Sequence, residues 1–100
     1  MALQGPRPVD VAKGHTAREP LYRVIVHNDD VTPMEFVIDV IAAIFLVPEI
    51  NAATIAYSAH LTGQARVQTL PRPEALRCIH RAHFAARLRG FPLEFSMEPE

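Results

Sequence analysis

One hundred residues, 49% of them apolar, are enough for one domain with its own core and leave no room for a second. Ten basic residues against eleven acidic ones put the net charge at −1, so whole-chain electrostatics argue for neither nucleic acid nor an anionic membrane as partner. No apolar run approaches the roughly 18–20 residues of a membrane span. The opening residues lack a secretory pattern, and the single cysteine, Cys78, permits no internal disulfide. A cytoplasmic protein is the expectation.

Residues 1–20 hold Pro6, Pro8, Pro20, Gly5 and Gly14 with few large apolar side chains, a composition that cannot offset its ordering entropy. A flexible arm is expected there, with the folded domain spanning residues 21–100. Residues 21–27 (LYRVIVH) are rich in β-branched and aromatic side chains and have strand length. Asn28, Asp29 and Asp30 break the strand with turn-forming residues. Thr32 as N-cap, Pro33 at the first helical position and Glu35 three residues after Thr32 then predict a capping box. Phe36, Val37, Val40, Ile41, Ile44 and Phe45 recur at helical spacing up to Pro48. Residues 49–61 read as an alanine-rich second helix ending before Gly63, and residues 64–70 as a weakly alternating strand.

Pro71 and Pro73 open a third helix running to Arg89, with Leu76, Ile79, Ala82, Phe84, Ala86 and Leu88 as its expected buried side and Gly90 beyond its end. Residues 93–97 (LEFSM) alternate as a final strand. The order is βααβαβ. It predicts a two-layer α+β domain in which three helices cover one face of a small, mainly antiparallel, three-stranded sheet.

The chain contains no nucleophile elbow, phosphate-binding glycine loop, paired-cysteine site or H-E-x-x-H. Asn28, Asp29, Asp30 and Thr32 form its densest polar cluster. By itself such a cluster reads first as an Asx turn with a helix cap. Its lone pairs could also hold a cation, either a metal, for which the loop offers few hard ligands, or an α-ammonium with its three donors. His60, near the end of the second helix, reads as a dipole partner or as an acceptor for an ammonium proton. His80 and His83 share a helix face but have no third metal ligand, and Arg72, Arg77, Arg81, Arg87 and Arg89 look like a solvated face without the aromatic platform of a nucleic-acid site.

Residues 22–40, YRVIVHNDDVTPMEFVIDV, closely resemble the signature of the ClpS adaptor family, with N-D-D-x-T-P-M-E-F-V as its core. The likeness continues through Ala59, His60, Gly63 and Ala65 and closes with residues 90–98, GFPLEFSME, weakening between 66 and 89. It implies a non-enzymatic, cofactor-free adaptor that binds destabilising N-terminal residues (Phe, Tyr, Trp or Leu) and delivers their proteins to a Clp unfoldase–protease. By this resemblance Asn28, Asp29 and His60 hold the substrate's α-ammonium, Asp30 supports the loop, and Val26, Thr32, Met34, Val37, Ala56, Ala59 and Leu93 line a side-chain pocket. Met34 resembles the family's gate against residues branched at Cβ.

The implied partner is the N-domain of a ClpA- or ClpC-like unfoldase, and a monomer with no metal, nucleic-acid or membrane partner is expected. The chain departs from the family at several places. Ala56 and Ala59 stand where methionine and valine are usual, which predicts either a roomier pocket or inward collapse by a neighbour such as Tyr57. His27 replaces an apolar residue beside the pocket, and Pro73 and Cys78 replace a Glu and a Lys used in docking, for which the basic face around Arg77 and Arg81 is the expected substitute. The element order also resembles the C-terminal domain of the bacterial ribosomal stalk protein, an interaction module that lacks the N-D-D loop and a counterpart of His60. A metal protein or enzyme built on Asp29, Asp30 and His60 is the third class.

Overall fold

The computed structural model describes residues 19–100, so the expected arm lies almost wholly outside the described residues. Strand β1 (Leu21–His27) leads into helix α1 (Met34–Ile44) and helix α2 (Glu49–Thr62); β2 (Gln64–Pro71), α3 (Arg72–Leu88) and β3 (Glu94–Pro99) follow. The sheet has the order β2-β1-β3 with both pairings antiparallel, so the expected α+β architecture is the one observed. In the β1–β2 ladder Val24 faces Gln68 while Ile25 faces Arg66, so Val67 is an extra residue in a bulge, and its side chain is buried in the core.

Successive strand residues alternate between faces. Val24 and Val26 of β1 and Phe95 of β3 join Val40, Ile41 and Phe45 of α1 in the core, where the Phe45 and Phe95 rings stack at 5.4 Å. On the opposite face Arg23 pairs with Glu98, and His27 Nε2 lies 2.7 Å from Ser96 Oγ. The His27 ring is therefore directed onto the outer sheet face.

Helices α2 and α3 present alanines to the interior: Ala52, Ala56 and Ala59 from one, Ala75, Ala82 and Ala86 with Ile79 from the other. Small side chains at these positions let each helix approach its neighbours closely. The expected buried side of α3 is thereby corrected. Positions 75, 79, 82 and 86 follow helical spacing, whereas Phe84 and Leu88 lie off that stripe and are 67% and 71% exposed.

The start of α1 also differs from the expectation. Pro33, in extended conformation, is the N-cap and no side chain caps the helix; the Pro33 carbonyl accepts from Phe36 N–H and Val37 N–H. The predicted capping box does not form: the cap falls one residue later, on Pro33, whose side chain has no acceptor, and the Thr32 hydroxyl donates to Asp29.

Two glycines end helices as expected. Gly63 takes φ 101° at the end of α2 and Gly90 φ 78° just after α3. Gly63 also joins elements: its N–H donates to the Ala59 carbonyl at 2.8 Å, and its own carbonyl accepts from Asn28 N–H at 2.9 Å. A Cβ at position 63 would meet nothing within 4 Å, so a substitution there is opposed by backbone conformation alone. Gly63→Ala is expected to cost about 1–2 kcal/mol. In a domain of this size that lowers the thermal midpoint by roughly 4–15 °C, which a circular-dichroism melt would read.

Candidate functional site

The 28–32 loop leaves β1 beside the C-terminal end of α2, since His27 faces Gln64 and the Asn28 N–H donates to Gly63. This short connection ties Asn28 to the end of α2, whose last turn carries His60. The loop is shaped by one carboxylate. Asp29 Oδ1 accepts from the backbone N–H groups of Val31 at 2.8 Å and Thr32 at 2.7 Å, and Oδ2 accepts from the Thr32 hydroxyl at 2.9 Å. The turn expected from Asn28-Asp29-Asp30 is thus built by Asp29. It is Asp29, not Asp30, that supports the loop; Asp30 is exposed. The Oδ1 lone pairs are filled, and one on Oδ2 is free for a further donor.

Beneath the loop is a cavity of about 240 Å³. Its walls are Val26 and His27 of β1, Asn28, Asp29, Asp30 and Thr32 of the loop, Met34 and Val37 of α1, Ala56, Ala59 and His60 of α2, and Leu93 before β3. All eleven residues singled out from the sequence line this one cavity, and so does His27, which the resemblance sets beside the pocket. The volume is below the roughly 300–1,000 Å³ typical of sites for drug-sized ligands and suits a single side chain.

The apolar and polar groups are segregated. Val26, Ala56, Ala59 and Leu93 are buried, whereas Asn28, Asp30 and His60 are exposed at the rim. Tyr57 is 57% exposed and takes no part in the cavity, so of the two consequences drawn from Ala56 and Ala59 the inward collapse of Tyr57 does not occur. The negative end of the α2 dipole, equivalent to about half an elementary charge, adds to the carboxylates around the mouth.

Burial opposes the charge on Asp29, but the hydrogen bonds from Thr32 and Val31, helped by the nearby Arg87 guanidinium, hold its pKa below the ordinary 3.8. The rim therefore keeps its negative charge throughout the neutral range. The other candidates have different roles. His83 Nε2 accepts from Phe95 N–H at 2.9 Å; burial pushes its pKa down, against the opposing charge of Glu94. Cys78 is half-buried, burial pushes its thiol pKa up, and its Sγ lies 3.7 Å from the Ile44 carbonyl, the setting of an unreactive thiol. Among the described residues no group of three His, Cys, Asp or Glu side chains is placed to hold a metal, and no helix is long and apolar enough to cross a membrane.

The Asp29 shift fixes a pH window. A carboxylate whose folded pKa lies below its unfolded value contributes fully above the unfolded value and loses that contribution as pH falls through the folded one. The Val31 and Thr32 amide resonances are expected to hold steady from pH 7 to 5 and to move in a transition centred below 3.8, which an NMR titration would follow.

The comparisons with known proteins agree with this geometry. The family model for the ATP-dependent Clp protease adaptor protein ClpS matches residues 17–96. The ClpS 2 adapter of Mesorhizobium japonicum is 38% identical over 94 residues, covering 94% of this chain and 93% of that protein. The ClpS 1 adapter of Rhodopseudomonas palustris is 37% identical over 95 residues, covering 95% and 92%. The solved structure of Agrobacterium tumefaciens ClpS2 bound to L-phenylalaninamide superposes with a TM-score of 0.79 at 38% identity, covering 83% of this chain and all of that one. A family match over most of the chain, joined to the fold and the N-D-D loop, places it: the chain belongs to the ClpS family of adaptors of ATP-dependent Clp proteases.

Proposed function

We propose that this chain is a non-enzymatic adaptor that captures substrate proteins by a bulky, destabilising N-terminal residue and passes them to a Clp unfoldase–protease. The observation that carries the reading is an apolar cavity, sized for one side chain, whose mouth gathers an amide, two carboxylates, an imidazole and a helix C-terminus. An α-ammonium, with an ordinary pKa of about 7.7–8.0, is largely charged at neutral pH and has three N–H donors. Asn28, the free lone pair of Asp29 Oδ2 and His60 are its acceptors; Asp30 adds negative charge. An interior peptide segment has no such cation.

The substrate's first side chain enters between Val26, Thr32, Met34, Val37, Ala56, Ala59 and Leu93. Burying a large apolar side chain there contributes about 2–3 kcal/mol. L-phenylalaninamide, held by the Agrobacterium tumefaciens relative, offers the same combination of a free amine, a benzyl group and an uncharged amide. Tyr57 stays outside the cavity and Ala56 and Ala59 leave it open, which favours the larger side chains.

In this reading the chain works as a cytoplasmic monomer without a cofactor, docks on the N-domain of a ClpA- or ClpC-like unfoldase, and uses residues 1–20 during handover. Arg77 and Arg81 replace the missing docking pair. They are one turn apart on α3, exposed, and without a salt bridge among the described residues.

Fluorescence anisotropy with labelled peptides tests the pocket. Peptides beginning with Phe or Trp are expected to bind at least as well as those beginning with Leu, and acetylation of the amine to abolish binding. Binding that survives acetylation rejects the ammonium site, and a clear preference for Leu rejects the roomy pocket. For docking, Arg77→Glu with Arg81→Glu is expected to reduce recovery of the unfoldase N-domain in a pull-down while leaving peptide affinity intact. Unchanged recovery rejects the basic face.

A further inference from the structure

Leu93 is among the largest fully buried side chains and, with Val26, is one of two such residues that line the cavity. Its backbone lies outside the strand ladder, because pairing of β3 with β1 begins at Glu94 opposite His27. What holds it is Arg87, in the last turn of α3. Arg87 Nη1 donates to the carbonyls of Phe91 and Leu93, both at 2.9 Å, and Nη2 donates to the Glu94 carboxylate. Two residues on, the Phe95 N–H donates to His83 of the same helix. Residues 91, 93 and 95 are thus tied by their backbone to two side chains of α3.

The Arg87–Glu94 pair is roughly half exposed on both sides and so contributes little by itself. The weight of Arg87 lies in its two carbonyl bonds, which are charge-assisted and fix where Leu93 sits. With Ala56 and Ala59 so small, the position of Leu93 decides how deep the cavity is.

We propose that Arg87 is a positioning residue that sets pocket depth through the Leu93 carbonyl and so tunes which N-terminal side chains are accepted. This rests on the adaptor reading above. A loosely supported site loses discrimination before it loses its shape. Phe reaches farther into the cavity than Leu, so Phe binding depends more on a fixed Leu93.

The test compares peptides beginning with Phe and Leu on the full chain, in wild type, Arg87→Met, Arg87→Lys and Glu94→Gln. Arg87→Met is expected to weaken Phe binding about tenfold and Leu binding less than about threefold, the loss of two charge-assisted bonds felt mainly by the deeper side chain. Arg87→Lys, whose ammonium reaches one carbonyl at a time, falls between Arg87→Met and wild type, and Glu94→Gln leaves both affinities within about twofold. Equal losses for the two peptides, no loss, or a Glu94→Gln variant that copies Arg87→Met would overturn the assignment. Should Arg87→Met melt below the assay temperature, Arg87→Lys decides: a shifted Phe to Leu ratio supports the proposal and an unchanged one rejects it. Failure of the wild type to bind any free-amine peptide sinks the adaptor reading and this proposal with it.

Discussion

The site depends on how one carboxylate distributes its lone pairs. Asp29 takes two backbone N–H groups and a hydroxyl from Val31 and Thr32, and this closes the loop over the cavity. Those contacts also keep Asp29 ionised, so the group that shapes the rim also carries part of its charge. The Asn28–Gly63 bond then ties the loop to the end of α2, and His60, in the last turn of that helix, lines the same cavity.

Much of the architecture was readable because its causes are local. The β-branched run of β1, the apolar spacing of α1 and the glycines after α2 and α3 each act within a few residues, and each appears where expected. The capping box fails on the helix start: the sequence fits Thr32 or Pro33 as the N-cap, and the fold begins α1 after Pro33, one residue later than the box requires. Phe84 and Leu88 were assigned inward for their hydrophobicity, although their helical phase points away from Ala82 and Ala86.

The cavity was legible in a different way. No periodicity joins residue 28 to residue 60 or 93; the likeness to a known family did that, and the fold then supplied the distances the likeness cannot contain. Arg87 and His83 read from the sequence as part of a solvated or partly exposed helix face. Their partners are backbone groups across a loop, and composition carries no signal for such contacts.

The cavity walls come from β1, the 28–32 loop, α1, α2 and the approach to β3, segments that meet only when the chain is folded. Occupancy and folding are therefore linked. A ligand at a hundred times its dissociation constant adds about 2.7 kcal/mol to the folded state. For a domain this small, whose whole margin is of the order of 5–10 kcal/mol, that is a large share. Whatever fills the cavity thus braces the fold that forms it, and the empty chain is the more easily unfolded of the two forms.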